Sequence, residues 1–346
     1  MKRFHIVLIT AVVLLALCAT LADAQTRKSG INSAAFLKVG VGARQVAMGS
    51  AVTSLEGDAT NMFWNPAGIT LTDETAQATF TYNHWIGGLS QNALAASYNW
   101  ADIGTVGIGF MTFGISGIPA DRDYGYTDPQ LAALQIDQVG SSTYDYMDML
   151  LQATYSRHIT DNLSLGVSFK YINEKIDDQS ANAIAFDLGS IYNIGILGWT
   201  IGARINNLGS DMKFYDYASP IPLTFAIGTS MTPVNVGMTA WTLAMDLVKP
   251  QDGQQYYYLG TELGFNKMFF LRGGWKLNYS WFGLVGSGID DGTTQRAPIQ
   301  TSLERGSFGA GVRVPLEDYT VSFDYAYTVF VSLQDVHRFT LRLSMK

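Results

Sequence analysis

Thr320-Val321-Ser322-Phe323-Asp324-Tyr325-Ala326-Tyr327-Thr328-Val329 alternates without a break. Successive side chains of an extended chain point to opposite sides. Val321, Phe323, Tyr325, Tyr327 and Val329 therefore share one face, and Ser322, Asp324, Ala326 and Thr328 the other. The pattern recurs outward from this segment. Phe339, Leu341, Leu343 and Met345 oppose Thr340, Arg342, Ser344 and Lys346. Leu163, Leu165, Val167, Phe169 and Tyr171 oppose Ser164, Gly166, Ser168 and Lys170, and Ile184, Phe186 and Leu188 oppose Ala183, Ala185 and Asp187.

A soluble sandwich and a membrane barrel both produce this alternation. Three features favour the barrel. The segments run about ten residues, the length a tilted strand needs to cross a bilayer. Aromatic residues sit near segment ends as interfacial girdles do, as at Tyr82 with Trp85, Tyr98 with Trp100, Tyr256 to Tyr258, and Trp281 with Phe282. The links also alternate in length. Strands read at 75–84, 90–100, 103–114, 145–157, 163–175, 182–193, 199–207, 222–231, 236–248, 255–265, 268–280, 301–314, 319–329 and 337–346. Short turns fall at 101–102, 158–162, 194–198, 232–235, 266–267 and 315–318, and the longest links at 115–144, 208–221 and 281–300. The expected fold class is all-β: a transmembrane antiparallel β-barrel of about fourteen strands, with both chain ends on the short-turn side. Closure leaves no open edge.

Composition agrees. Only 15% of the 346 residues are charged, against 18 Phe, 18 Tyr, 7 Trp and 35 Gly, where a soluble domain carries about 25% charge. Disorder is excluded. A net charge of −7 without a Lys/Arg cluster argues against a nucleic-acid partner. Lys2 and Arg3, the apolar run to Leu21 and Ala22-Asp23-Ala24 read as a cleaved signal peptide over 1–24. The expected location is the cell outer membrane, in contact with its lipid. Cys18 is the one cysteine and falls within that signal, so disulfides, cysteine zinc sites and cysteine catalysis are not expected.

Residues 25–73 precede the barrel proper (74–346) and do not alternate. Ala34, Ala35, Leu37, Val41, Val46, Ala47 and Met48 suggest short helices broken by Gly40, Gly42, Gly49 and Gly57, ending at Pro66 and Gly68. Such a segment of small and apolar residues suits a plug, or hatch, folded into the lumen. Arg44 and Asp58 either pair there or each face lumenal water. Trp64 packs the plug against the wall or stacks on a ligand. Pro66 fixes φ and lacks a donor, so a helix is expected to stop there.

Phe36-Leu37-Lys38-Val39-Gly40-Val41-Gly42-Ala43-Arg44, then Ala47-Met48-Gly49-Ser50-Ala51, then Asp58 through Gly68, resembles the opening of the PorV/PorQ family, itself related to FadL-like fatty-acid transporters. Asn65-Pro66-Ala67 resembles a triplet in the transporters' N-terminal hatch, and Asn206-Asn207-Leu208-Gly209 a recurring family element. The resemblance implies a fourteen-stranded barrel with a hatch, in which Gly42, Arg44, Met48, Gly49, Asp58, Trp64, Asn65, Pro66 and Ala67 are candidates for gating. It also implies one of two functions. The first is a type IX secretion-associated role, binding the translocon or secreted proteins through loop 115–144, with Tyr124, Tyr126 and Tyr144 as contacts. The alternative is passive transport of a hydrophobic small molecule, with Ile115, Ile118, Leu131, Leu134 and Ile136 at its entry.

Enzyme signatures are missing. His84, His158 and His337 do not share metal-ligand spacing. Gly286-Ser287-Gly288 reads as a flexible loop, and Gly306-Ser307-Phe308-Gly309-Ala310-Gly311 lacks the Lys-Ser/Thr of a phosphate loop. Asp121, Asp123 and Asp128 with Gly125 resemble part of a calcium loop without its distal Glu. No metal or cofactor is expected. Lys170, Glu174, Asp187, Arg204, Asp246, Glu262, Arg272, Lys276, Glu304, Arg313, Asp324 and Arg342 fall on the polar faces. Their mixed signs fit a solvated or plugged interior rather than an ion-selective ring.

Overall fold

The computed structural model describes residues 32–70, 74–120, 143–253, 255–278, 304–330 and 333–346. The signal peptide, Tyr124, Tyr126, the aspartates 121–128 and loop 281–300 lie outside them. The strands are β1 (Ala76–His84), β2 (Ser90–Trp100), β3 (Gly104–Pro119), β4 (Thr143–Thr160), β5 (Leu163–Ile176), β6 (Gln179–Asn193) and β7 (Thr200–Gly209). A short hairpin of β8 (Met212–Phe214) and β9 (Tyr217–Ser219) follows. Then come β10 (Thr224–Val236), β11 (Thr239–Pro250), β12 (Tyr256–Phe265), β13 (Phe269–Asn278), β14 (Glu304–Pro315), β15 (Tyr319–Phe330) and β16 (Val336–Met345). All strands but β8 and β9 join one closed barrel of fourteen, in which β7 pairs with β10 and β1 with β16. Every pair is antiparallel.

The dyad of the quoted segment sorts as expected. Phe323, Leu341 and Leu343 stand on the exposed outer surface, and Ser322, Asp324, Thr340 and Arg342 are buried in the lumen. Large apolar groups outside and polar groups inside invert the usual globular arrangement. That inversion suits hydrocarbon as the surrounding solvent. Among the described residues no helix is long and apolar enough to cross a membrane; strands do the crossing.

Short turns and both ends of the barrel wall gather at one rim, here called the inner rim. The other, outer rim carries the β8–β9 hairpin and the longer links, although β5 and β6 are joined there by Asp177-Asp178 alone.

The structure differs from the sequence reading in several places. Residues 232–235 do not turn: β10 runs on to Val236, absorbing Pro233 in a register shift between Met231 and Val234, where a residue without an N–H is tolerated. The turn comes later, at Gly237 (φ 60°). The ladder of β3 and β4 continues past Gly114 through a shift between Ile115 and Ile118. Tyr144, expected in a loop, therefore stands in β4 opposite Ile118. Finally, Met212 to Ser219 forms a hairpin where a plain link was expected.

Residues 32–70 fill the lumen. They comprise helix α1 (Ala43–Ala47), three short 3-10 turns (Ala35–Lys38, Ala59–Phe63 and Pro66–Ile69) and extended chain between. The segment enters near the outer rim, where Ser33 N donates to Pro220 O, and ends near the inner rim, where Thr70 Oγ1 meets Ser156 Oγ. Its backbone lies directly on lumen-facing glycines of the wall. A Cβ at Gly260 would meet Met48 O, one at Gly202 Thr53 O, one at Gly166 Pro66 and Ala67, and one at Gly309 the Ala47 side chain. Side chains at these positions would hold the plug away from the wall.

Candidate functional site

The plug is anchored by buried polar side chains of the wall. Asp246 on β11 accepts from Val52 N (3.0 Å), Thr53 N (2.9 Å) and Thr53 Oγ1 (2.6 Å). Arg204 on β7 donates to Thr53 Oγ1 and to Trp64 O. Gln152 on β4 donates to Met62 O, and Gln77 on β1 accepts from Ala59 N. These bonds satisfy backbone groups that the irregular plug cannot pair internally, which a buried segment requires.

A chain of ion pairs crosses the lumen. Arg44 of the plug makes two 3.0 Å bonds to Glu262, and Glu262 also takes Arg272 (2.6 Å), which reaches Asp324 (2.6 Å). Arg342 holds Asp58 at 2.9 Å, with Arg44 at 3.8 Å on the same carboxylate. The expected Arg44–Asp58 contact therefore exists, but each group has a nearer partner from the wall. Burial alone would raise the Asp58 carboxyl, yet Arg342 and Arg44 beside it hold it below the usual carboxylate range. Burial pushes Glu56, near the inner rim, upward; Ser164 donates to it at 2.8 Å and also contacts His158 Nδ1 at 3.0 Å.

The other plug candidates have specific places. Gly42 precedes α1 at φ 90°, and Gly49 takes φ 62° where a Cβ would stand 2.6 Å from Leu259 O and Trp275 N. Met48 is fully buried beside Gly260. Asn65 Oδ1 caps the last 3-10 turn by accepting from Ala67 N, while its Nδ2 donates to Thr53 O (2.6 Å) and Ser190 O (3.3 Å). Pro66 begins that turn instead of ending a helix. A fixed φ and a missing N–H suit a first helical position, where that N–H has no partner anyway. Trp64 donates from Nε1 to Val41 O (2.9 Å), and the Arg204 guanidinium lies 5.5 Å from its ring centroid.

Above the plug, in the outer half of the lumen, lies a cavity of about 720 Å³. Val41, Phe63 and Trp64 belong to its plug side. Its wall combines apolar groups such as Met111, Leu150 and Val248 with the rings of Trp85, Tyr256, Tyr258 and Phe330. Two polar clusters interrupt it. One is Lys276 on Glu304 (2.6 Å). The other is a bulge in β7, where Asn206 Nδ2 and Asn207 N both donate to Asp187, and Lys170 pairs with the same carboxylate at 2.6 Å. Asn207 takes φ 61° there, a left-handed conformation that asparagine tolerates better than most residues. Lys38 of the plug pairs with Asp252 of the β11–β12 link, and both line the cavity. A volume of this size suits a small molecule, with apolar walls for its body and a few polar groups to orient it.

The sequence reading missed Lys38, Asp252, Gln152 and Arg338. Gln152 and Arg338 lie buried on the lumenal faces of β4 and β16, where the polar-face signal that located the lumenal charges could have found them. His84 and His337, far apart in sequence, stand opposite each other across the β1–β16 seam. Among the described residues no group of three or more His, Cys, Asp or Glu is placed to hold a metal ion.

No family model matches the chain, and no curated protein matches it in sequence. Solved structures do match in shape. CymD, a monoaromatic hydrocarbon channel, superposes with a TM-score of 0.57 over 89% of this chain and 98% of its own, at 11% identity. TodX, the toluene transporter of Pseudomonas putida, gives 0.54 over 88% and 97%, at 12% identity. A TodX mutant described as a monoaromatic hydrocarbon channel gives 0.53 over 88% and 98%, also at 12%. The chain thus has the fold of these barrels.

Proposed function

We propose that the chain is a non-enzymatic outer-membrane channel that takes up a hydrophobic small molecule passively. The observation that carries this reading is the cavity over the plug, lined by the Lys38–Asp252 pair and walled by aliphatic and aromatic groups. The similar structures named above are channels for monoaromatic hydrocarbons, and their fold is this one. None of them is described as a secretion component, so a type IX translocon or secreted-protein partner has only the resemblance over 36–68 behind it. Partition from the outer rim into the cavity removes apolar surface from water. The plug then sets how the molecule leaves. The residues that tie it to the wall, Asn65, Asp58 and Arg44 above all, are the gating groups in this reading. The test is uptake of radiolabelled toluene by proteoliposomes. Wild-type protein is expected to raise the flux above that of empty liposomes, and Asn65→Ala to raise it further. Flux equal to empty liposomes for both would refute the reading.

A further inference from the structure

The inner end of the lumen holds a guanidinium that nothing engages. Arg44 bonds Glu262, Arg272 bridges Glu262 and Asp324, and Arg342 holds Asp58. Arg204 bonds three oxygens, and Arg338 donates to Thr328 Oγ1. Arg313 on β14 is the exception. Its guanidinium makes no hydrogen bond or ion pair to any described residue. It is half-buried and stands two residues before β14 ends at the inner rim. α1 touches the same strand at Gly309, where a Cβ would meet the Ala47 side chain. Arg313 therefore lies two lumenal positions inward of that contact, on the inner side of the plug's helix.

Across the ladder Arg313 stands directly opposite Ser322 of β15, and Ser322 directly opposite Arg342 of β16. The three form one rung of the lumenal face. Ser322, in the middle, is 3% exposed, and its Oγ has no partner, a costly state for a buried hydroxyl. The charges that act most on Arg313 are the like charges of Arg342 and Arg44, ahead of Glu74 and Asp58, both beyond ion-pair distance. The Phe270 ring has Arg313 5.3 Å and Arg272 5.1 Å from its centroid. It steadies the Arg313 guanidinium without engaging its donors. A guanidinium stays charged in a protein, and its planar fork matches the paired oxygens of a carboxylate or phosphate. Ser322 supplies a third donor in the same rung.

We infer that Arg313 and Ser322 form a binding site for a small oxyanion, a carboxylate or a phosphate, that enters the barrel from its inner rim. The site lies at the opposite end of the lumen from the cavity, and it does not depend on the channel reading. The recessed Ser322 hydroxyl favours a compact ion over a bulky acidic segment. The test is calorimetric titration of detergent-solubilised full-length protein, in chloride buffer of fixed ionic strength, with sodium phosphate and with sodium succinate. One-to-one binding of at least one is expected, and the tighter of the two names the source. Arg313→Gln should weaken that binding about tenfold, Ser322→Ala less, and Arg313→Lys, which keeps the charge, should retain part of it. Heat-dependent gel mobility shows that each variant is folded. A second measurement needs no variant: the tighter anion should slow modification of Arg313 by phenylglyoxal, read by mass spectrometry of its peptide. Flat heats with both anions would overturn the site. So would an affinity that Arg313→Gln leaves unchanged, or modification of Arg313 that saturating anion does not slow.

Discussion

Two consecutive glycines of β13 give opposite expectations for one and the same substitution. At Gly274, which faces the lumen, an added Cβ would stand 1.9 Å from Gly49 N and 2.3 Å from Met48 C. These are backbone atoms of the plug, which no rotamer change can move. Ordinary contact between heavy atoms begins near 3.5 Å, so Gly274→Ala must displace the plug by about 1.5 Å. Overpacking of this kind costs about 1–3 kcal/mol. At Gly273, which faces lipid, the nearest atom to a Cβ is Thr261 Cγ2 at 3.8 Å. Gly273→Ala should therefore be neutral or stabilise by up to about 1 kcal/mol, through the lower entropy of its unfolded chain. Urea unfolding in lipid vesicles, followed by gel mobility, measures the stability difference, and single-channel conductance in planar bilayers reports displacement of the plug. Gly274→Ala should lose stability and conduct more; Gly273→Ala should do neither. Indistinguishable behaviour of the two variants would refute the seating of the plug on the wall.

Asn65→Ala removes the bonds to Thr53 O and Ser190 O and the cap on Ala67 N, which should loosen the plug by about 1–3 kcal/mol and increase its cleavage by added protease. Asp58 is held below its usual range, so its pairing with Arg342 contributes fully above the unfolded-state value of about 3.9 and is lost as pH falls through the lower folded value. Conductance of the wild-type protein should rise under that acid condition, and Asp58→Asn should already conduct at neutral pH. Trp64→Ala enlarges the cavity and frees Val41 O; flux assays with a graded series of alkylbenzenes should show acceptance of bulkier members than the wild type admits.

The barrel was legible because its code is local. Val321 to Val329 announces both faces of β15 without reference to any other strand, and the segments at 163–171, 183–188 and 339–346 do the same. The hairpin of β8 and β9 gave no such sign: three residues per strand are too few for a dyad to register. Pro233 misled because a proline reads as a turn, and only the partner strand shows that a bulge can hold it. The site was legible by halves. Arg44, Asp58 and Trp64 could be placed in the plug, and Glu262, Arg272 and Asp324 on the lumenal face. Which of them meet could not be read, because Arg44 and Glu262 are joined by closure of the whole barrel rather than by any local spacing.

The wall glycines say something about how this molecule comes apart. Gly166, Gly202, Gly260, Gly274 and Gly309 contribute nothing to fill the lumen at the places where the plug rests. Without residues 32–70 the wall would carry gaps at those points, and Asp246 and Arg342 would lose the partners that make their burial tolerable. Wall and plug are thus two halves of one core, neither of which is packed without the other. The segment is not a cork in a finished bottle. Complete withdrawal of the plug is therefore expected to destabilise the barrel itself, so that any opening under the channel reading would be a partial displacement of the plug within a closed wall.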